Sequence, residues 1–476
     1  MVFSNAVFLF IFLPLVLLGY YLLRGKARNY WLLLVSLVFY AWNKPSFLWI
    51  LIASVVINYI GAFVVERVKK KGLKLFSLWI TVLLNLGLLF YFKYFNFAMD
   101  ILQKLLNREI SFTEVILPIG ISFFTFQGLS YVVDVYRNDV PVQKNPFKLC
   151  MYISLFPQLV AGPIVRYKDV AKEIDNRSVS LQDFTEGSRR FISGMFKKII
   201  LADTLAVTAD AIFANNPTMN SAAVAWLGII SYSLQLYFDF SGYSDMAIGM
   251  GRMFGFHFLE NFNYPYISKS ITEFWRRWHI SLSSFFRDYV YIPLGGNRRH
   301  VYLNVAIVFL LTGIWHGAAY TFILWGIWHG FFNMMERVFR RKKETSEELK
   351  PKSVKTILVY VFSHIYTLLV VIIGWVFFRA PGLKTGLKYL LSMFGVNNET
   401  AYMLPGYYLT NWTITILILA IILATPIPKK IVSAVAEKLP TPLVSICRDV
   451  VLLMVLLICV LQVASNTYSA FIYFQF

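Results

Sequence analysis

Residues 302–334 read YLNVAIVFLLTGIWHGAAYTFILWGIWHGFFNM and contain no Asp, Glu, Lys or Arg. A helix of roughly 17–25 predominantly apolar residues crosses the hydrocarbon layer of a bilayer. Comparable apolar runs occupy residues 6–23, 46–65, 75–92, 356–378, 412–425 and 449–463. The pattern predicts an all-α polytopic membrane protein, and the same length rule gives about eleven transmembrane helices.

The composition agrees with a membrane protein and argues against a nucleic-acid partner. Of the 476 residues, 58% are hydrophobic and 15% are charged, whereas soluble domains carry about 25% charged residues. The formal net charge is +20. The basic residues stand between the apolar runs, where the cytoplasmic loops of membrane proteins concentrate them. The positive net charge therefore reflects cytoplasmic loops between membrane helices, and no nucleic acid is expected as a partner.

The positions of the basic residues also predict an orientation. No Lys or Arg precedes the first apolar run, whereas Arg24, Lys26 and Arg28 follow it. A cleaved signal peptide has the opposite order, so the first helix is expected to stay, with its N-terminus outside. Residues 393–411 carry no Lys or Arg and fit the outer face, whereas the basic stretch 336–355 fits a cytoplasmic loop.

Two histidines, His316 and His329, lie within the apolar run 302–334. Ionisable groups at membrane depth are costly and commonly mark a site or a pathway. His316 is followed by a glycine and has no charged neighbour in the sequence. We therefore favour a functional imidazole, able to accept a proton near neutral pH, over a hydrogen-bonded core histidine. For His329 function and a simple hydrogen bond between helices stay equally open.

A third histidine lies in residues 271–294, which read ITEFWRRWHISLSSFFRDYVYIPL and are too polar to face lipid. An interfacial or re-entrant amphipathic helix is predicted here. His279 lies in its first half. Arg287 and Asp288, with the other arginines of the segment, would suit a phosphorylated or thioester-linked donor near the membrane face. The alternative is an interfacial helix that Trp and Arg anchor at the lipid headgroups.

Residues 147–165 also make a poor simple span. Pro157 and Pro163 interrupt helix there, and broken backbone at membrane depth needs cover from protein or a water-filled cavity. A central block of the chain therefore looks irregular and polar-lined. The chain is predicted to be a single domain with an N-terminal helix scaffold, a catalytic core and C-terminal helices at 1–115, 116–335 and 336–476.

Several kinds of chemistry have no support in the sequence. The three cysteines form no CxxC pair and no zinc spacing. No HExxH, Gly-rich phosphate loop or GxSxG element occurs. A metalloprotease, an ATP-driven machine and an α/β-hydrolase are therefore disfavoured, and neither a metal site nor a tightly bound cofactor is expected. Asp239 and Asp245 in an apolar region are expected to orient histidines, to pair with arginines or to line a water path.

Seven short motifs follow one another along the chain. They read FQGLSY (126–131), PQLVAGP (157–163), DFSGYSD (239–245), FWRRWHISLS (274–283), RDY (287–289), PLGGN (293–297) and GIWHG (313–317). In this order the chain resembles the membrane-bound O-acyltransferase family, above all the bacterial branch with alginate and peptidoglycan O-acetyltransferases. Teichoic-acid D-alanyltransferases are more distant relatives. The likeness covers essentially the whole chain, up to the closing FIYFQF (471–476).

The resemblance implies an architecture and a location. Family members form a ring of about eleven helices, with re-entrant or interfacial helices, around a thinned centre. A tunnel in this centre joins a cytoplasmic donor entrance to an extracytoplasmic acceptor funnel. The implied location is the bacterial cytoplasmic (inner) membrane, as a multi-pass protein surrounded by membrane lipids.

The resemblance also implies roles for residues. The principal histidine of the family corresponds to His316, the expected general base. The second recurrent polar residue corresponds to His279, which would stabilise the oxyanion if it lies close. Acylation of His316 in two half-reactions is the open alternative. Candidates for substrate or donor binding are Gln127, Gln158, Asp239, Ser241, Trp278, Arg287, Asp288 and Trp315.

The predicted reaction moves an acyl group, expected to be acetyl from acetyl-CoA, onto a hydroxyl of an extracytoplasmic polysaccharide. Alginate, peptidoglycan, cellulose and other glycans stay open as acceptors. A periplasmic or surface esterase-like partner is expected to complete delivery. One alternative is a transporter with a histidine-lined path, although no inverted repeat with paired broken helices supports it. Another is a scaffold of an export complex with purely structural histidines.

Overall fold

A computed structural model describes residues 1–160, 162–341, 354–396 and 402–465. The regular structure of these ranges is helical, which confirms the all-α prediction. Most of the basic stretch 336–355, part of 393–411 and the closing motif 471–476 lie outside the described residues.

The first of two compact units contains Met1–Gly194 and Tyr243–Leu259, with residues 463–465 of the described C-terminal part. Its helices begin with a π-helical turn, Phe8–Phe12. They continue as α1 (Leu13–Leu22), α2 (Ala27–Ala41), α3 (Phe47–Arg67), α4 (Lys71–Leu106), α5 (Ile121–Arg137), α6 (Pro146–Ser154), α7 (Phe156–Leu159), α8 (Tyr167–Asp175) and α9 (Leu181–Met195).

Buried amides join two long apolar helices of this unit. Asn58 of α3 donates through Nδ2 to Oδ1 of Asn85 of α4 at 2.9 Å, and Asn85 Nδ2 donates back to Asn58 Oδ1 at 3.1 Å. Both side chains are completely buried. Polar side chains that bond across helices fix the partner and the register where apolar surfaces alone discriminate little. The pair therefore explains why α3 and α4 pack in one arrangement.

The second unit contains Met195–Gly242 and Glu260–Gln462. It starts with a π-helical turn, Phe196–Ala202. Its helices are α10 (Asp203–Phe213), α11 (Ala222–Met253), α12 (Ile271–Arg277), α13 (Ile280–Phe286), α14 (Val301–His316), α15 (Tyr320–Arg341), α16 (Val354–Arg379), α17 (Leu383–Met393), α18 (Asn411–Leu423), α19 (Ile427–Ala436) and α20 (Thr441–Ser465). The last turns of α11, from residue 243 onward, are assigned to the first unit.

The compact units and the predicted parts of the chain have different boundaries. The units change at residues 194, 242, 259 and 462, whereas the predicted parts change at residues 115 and 335. The single-domain organisation with its three parts stays a prediction.

Four described helices are long and apolar enough to cross a membrane. They are Phe47–Arg67, Lys71–Leu106, Thr356–Arg379 and Thr441–Ser465. A fifth span is possible in the pair Asn411–Leu423 and Ile427–Ala436, which bends by 72° at its break. Further apolar helices, such as Val301–His316, are shorter. The helical membrane fold is confirmed, and the number of eleven spans stays a prediction.

The polar segment 271–294 is not one amphipathic helix. It forms the two short helices α12 and α13 and a π-helical turn at Arg287–Tyr291. The break falls at His279, whose φ of 45° lies in the left-handed region. A residue with a side chain pays about 1–2 kcal/mol for this conformation, so the surrounding structure must hold it. Residues 147–165 are broken as predicted, because α6 ends before Leu155 and α7 has only one turn.

Two glycines bring α14 and α15 into close contact. A Cβ on Gly313 would lie 2.5 Å from the carbonyl oxygen of Phe322, and a Cβ on Gly326 would lie 2.5 Å from that of Phe309. Only glycine leaves room for backbones at this distance. The crossing lies one turn before His316 and therefore determines where the imidazole is held.

Gly313→Ala is expected to lower the stability of the folded protein by about 1–3 kcal/mol, since overpacking forces the backbone to shift. Thermal unfolding of the purified variant in detergent measures the loss. Gly87→Ala in α4 is the matched control, because a Cβ at Gly87 meets no atom within 4 Å. An equal melting temperature for both variants would contradict the close crossing.

Candidate active site

His316 ends α14 inside a group of aromatic rings. Its imidazole is 6% exposed. The ring centres of Trp315, Trp325 and Phe378 lie 4.6, 4.9 and 4.9 Å from that of His316. Trp325 belongs to α15 and Phe378 to α16, so three helices position the imidazole. An apolar, water-poor surrounding strengthens any polar interaction made inside it.

His279 lies at the break between α12 and α13 and is 1% exposed. Its Nδ1 is 3.1 Å from Oδ1 of Asn261. The ring of Phe240 packs edge-on against the imidazole at 4.6 Å. The Nε2 of His279 is buried and has no hydrogen-bond partner among the described residues. One nitrogen is therefore tied to the protein, and the other is left for a different group.

Trp315 connects the two histidines. Its ring centre lies 4.6 Å from that of His316 and 6.1 Å from that of His279. Both predicted catalytic histidines thus belong to one aromatic cluster of the second unit, with an indole that contacts both. Trp315, predicted as a binding residue, fills the space beside them.

Trp278 belongs to the aromatic core next to this cluster. It is buried, and the ring centres of Trp375, Phe262 and Phe274 lie 5.0, 5.1 and 5.6 Å away. Aromatic side chains in such a packed arrangement contribute mainly buried area. The structure therefore favours a packing role over the predicted contact with a substrate.

His329 belongs to α15, one turn after Trp325, and is completely buried. The ring centres of Trp325 and Trp275 lie 5.1 and 5.2 Å from its own. Neither ring nitrogen has a hydrogen-bond partner among the described residues. The hydrogen bond between helices that the sequence allowed is thus not seen in the part of the chain described.

A cavity of about 560 Å³ opens beside this aromatic cluster. Its volume is within the usual range for small-molecule sites. Three arginines and no acidic side chain occur among its described lining residues. The polar and aromatic lining includes Thr272, Trp275, Arg276, Ser283, Ser284, Arg287, Tyr291, Asn297, Asn333 and Arg337. The cavity is therefore suited to an anionic ligand.

The arginines of the cavity differ in their partners. Arg337 donates to the Tyr291 hydroxyl and to Oδ1 of Asn297, both at 3.2 Å. These acceptors are neutral, so the charge of Arg337 is not compensated by them. Arg287 donates through Nε to Oδ1 of Asp288 at 2.7 Å. Asp288 thus forms an ion pair with Arg287. These two predicted binding residues therefore lie at the cavity and not beside the histidines.

Trp275 belongs both to the lining of the cavity and to the aromatic cluster around His316. It lines the cavity, and its ring centre lies 5.5 Å from that of Trp325. Trp325 in turn contacts His316. Two indoles in ring contact therefore connect the lining of the basic cavity with the candidate base.

Asp239 is held in a buried ion pair that the sequence analysis missed. Lys198 Nζ lies 2.7 Å from Oδ1 of Asp239 and 2.7 Å from Oδ1 of Asp203. Lys198 and Asp239 are almost completely buried. A lysine in the apolar stretch 196–202 was the available signal. The pairing gives Asp239 a structural role, while the neighbouring Ser241 hydroxyl is buried without a hydrogen-bond partner among the described residues.

Lys198→Met is expected to destabilise the fold by about 3–5 kcal/mol, because a buried pair that loses one partner leaves an uncompensated charge. Thermal unfolding in detergent measures the effect. Lys384→Met, at an exposed position of α17, is the control and should change stability by less than about 0.5 kcal/mol. The structural role would be wrong if both variants melted together.

The remaining candidates lie in the first unit. Gln127 and Gln158 are completely buried. Gln158 donates through Nε2 to the carbonyl oxygen of Tyr152, and the Gln127 amide has no hydrogen-bond partner among the described residues. Asp245 pairs with Arg190 at 2.7 Å, one of the three outcomes expected for it. The binding roles of both glutamines stay predictions.

Comparison with known proteins supplies the family. The membrane-bound O-acyltransferase (MBOAT) family model matches residues 74–378. The probable alginate O-acetylase AlgI of Azotobacter vinelandii is 40% identical over 516 aligned positions that cover 100% of both chains. The peptidoglycan O-acetyltransferase of Helicobacter pylori is 35% identical over 83% of this chain and 80% of its own. The teichoic acid D-alanyltransferase of Bacillus subtilis is 33% identical over 42% and 54%.

These matches agree with the resemblance that the motifs indicated. They confirm an enzyme, an O-acetyltransferase, rather than the transporter or the scaffold considered as alternatives. The family match includes both histidines, the aromatic cluster and the basic cavity. This integral membrane protein belongs to the membrane-bound O-acyltransferase family.

Proposed function

We propose that the protein transfers an acetyl group from cytoplasmic acetyl-CoA to a hydroxyl of an extracytoplasmic polysaccharide, with His316 as the general base. The observation that carries the proposal is the place of His316: a nearly buried imidazole two indoles away from a basic cavity. The protein would act in the bacterial cytoplasmic (inner) membrane with its N-terminus outside, as the distribution of basic residues predicts.

The basic cavity is the proposed donor site. Acetyl-CoA carries phosphates, and arginines bind phosphate through charge-assisted hydrogen bonds. Arg276 and Arg337 are the groups best suited to this task, since Arg287 already pairs with Asp288. We assign the cavity to the cytoplasmic end because Arg337, one of its lining residues, lies in the basic stretch 336–355 at the end of α15.

The chemistry needs few groups. His316 takes the proton of the acceptor hydroxyl while the hydroxyl oxygen attacks the thioester carbonyl carbon. The carbon–sulfur bond then breaks, and the proton passes from the imidazolium to the departing thiolate. No charged carrier has to cross the membrane, since only the acetyl group moves through. An acetyl-His316 intermediate is the second route open to the same residues.

The names of the relatives indicate which acceptor should be tested first. A relative that matches the full length of this chain is named an alginate O-acetylase, so alginate is the first acceptor to test and peptidoglycan the second. A periplasmic or surface esterase-like partner is proposed to receive or deliver the acetyl group. Membrane lipids would cover the exposed apolar faces of α3, α4 and α16.

Purified protein with radiolabelled acetyl-CoA tests this function. We expect label to move onto alginate oligosaccharides or peptidoglycan fragments, and free CoA to appear in equal amount. Release of free acetate without labelled glycan would point to a missing partner that delivers the group. Absence of CoA release with every acceptor would refute the proposed donor.

A further inference from the structure

Residues 261–263, which precede α12, form backbone hydrogen bonds on both sides of the break at His279. The amide of Ile280 donates to the carbonyl oxygen of Asn261 at 2.9 Å, and the amide of Asn263 donates to the carbonyl oxygen of Arg277 at 2.9 Å. These two backbone hydrogen bonds fix Arg277 and Ile280, the residues directly before and after Trp278 and His279. They explain how His279 keeps a left-handed φ that costs conformational energy.

The amide of Asn261 has a defined orientation. Its Oδ1 lies 3.2 Å from the backbone nitrogen of Ser281, and a backbone N–H can only donate. The atom at this position must therefore be the oxygen, because an NH₂ group there would face another donor. The Ser281 hydroxyl also lies 2.9 Å from Oδ1. Three donors can thus converge on one carbonyl oxygen of the side chain.

The orientation of Asn261 determines the tautomer of His279. Nδ1 of His279 lies 3.1 Å from Oδ1 of Asn261 and 3.4 Å from the Ser281 hydroxyl, which donates over the shorter distance of 2.9 Å to Oδ1. An unprotonated Nδ1 would face the lone pairs of Oδ1, so we infer that Nδ1 carries the hydrogen and donates it. In the neutral imidazole the other nitrogen, Nε2, then carries only a lone pair. This Nε2 is buried without a hydrogen-bond partner among the described residues. A buried acceptor that lacks a donor is costly, which favours a substrate group as its partner.

We propose that Asn261 is a positioning residue that presents Nε2 of His279 as an acceptor for a second hydroxyl of the sugar, next to the hydroxyl whose proton passes to His316. The proposal rests on the proposed function. It divides the site between the substrates: a thioester carbonyl has no hydrogen to give, so it cannot satisfy Nε2, whereas a neighbouring hydroxyl of the sugar can. The oxyanion role expected for His279 would need a hydrogen on Nε2.

The tautomer is directly observable. Nitrogen-15 NMR of histidine-labelled protein in detergent distinguishes a protonated from an unprotonated ring nitrogen, and His279→Gln identifies the signals of His279. We expect a protonated Nδ1 in the wild-type protein and in Asn261→Asp, which keeps the acceptor oxygen. In Asn261→Leu the preference should be lost. A wild-type Nε2–H, or an unchanged tautomer in folded Asn261→Leu, would overturn the proposal.

Turnover gives the second measurement. Asn261→Leu should lower kcat about 10- to 100-fold, the effect known for groups that orient metal-ligating histidines, and Asn261→Asp should restore most of it. Asn85→Leu removes an equally buried amide from the first unit and should lower stability without changing the tautomer. Asn261→Leu with wild-type kcat would refute the positioning role.

The two proposals can fail separately. The tautomer is read without turnover, and the wild-type spectrum suffices if Asn261→Leu does not fold. A protein with the expected tautomer but no acetyl transfer would refute the proposed function. A protein that transfers acetyl groups with Nε2 protonated would refute the assignment of Asn261 alone.

Discussion

His316→Ala is expected to lower kcat by about 10²–10⁴-fold, the usual contribution of a positioned general base, with the yield of folded protein unchanged. The imidazole packs against the rings of Trp315, Trp325 and Phe378. Its removal leaves these rings in place. Initial rates of radiolabelled acetyl transfer by purified protein measure the effect.

His329→Phe is the matched control for this variant. His329 is more deeply buried than His316, belongs to the same aromatic surroundings and makes no hydrogen bond within the described ranges. A phenylalanine has a similar shape and should keep most of the turnover. If His316→Ala turned over as fast as His329→Phe, His316 could not be the base.

The double variant Arg276→Gln with Arg337→Gln is expected to raise the KM for acetyl-CoA about 10- to 100-fold. Each charge-assisted hydrogen bond to a phosphate contributes about 1.5–3 kcal/mol, and losses at two positions need not add. Since these groups would bind the donor equally in the ground and transition states, kcat should change little. Steady-state kinetics with varied acetyl-CoA measure both constants.

Arg298→Gln controls for the loss of positive charge. Arg298 is exposed and follows Asn297 in the chain, but it is not among the lining residues of the cavity. Its KM should therefore stay near the wild-type value. An unchanged KM in the double variant, or an equal rise in Arg298→Gln, would show that the donor binds elsewhere.

The helices and the main histidine were predictable because both leave local signals. Apolar runs of membrane length give α3, α4, α16 and α20, and an imidazole inside such a run is conspicuous whatever the fold. The prolines between residues 147 and 165 likewise announce the break between α6 and α7, since proline cannot continue a helix.

The break at His279 left no comparable signal. Left-handed backbone is usually announced by glycine or asparagine, and His279 is neither. Its conformation depends on backbone bonds to Asn261 and Asn263, and nothing in the sequence between them pairs the two segments. The predicted interfacial or re-entrant helix is therefore divided into α12 and α13 at a position that the sequence did not indicate.

Contacts between residues that lie far apart in the chain could not be predicted from the sequence either. Lys198 reaches Asp239 from a different helix, and the cavity is lined by side chains from α12, α13, α14 and α15. Neither grouping has a fixed spacing along the chain. The close packing of α14 on α15 at Gly313 and Gly326 brings together the lining residues that these two helices contribute to the cavity.

The most direct test of the account uses protein reconstituted in sealed vesicles, with radiolabelled acetyl-CoA on one side and alginate oligosaccharide on the other. We expect labelled oligosaccharide when the donor is on the side that carries the basic cavity, with CoA retained on that side, and labelling about 10²–10⁴-fold slower with His316→Ala. Labelling that requires donor and acceptor on the same side, or that accompanies passage of CoA itself, would contradict transfer through the membrane.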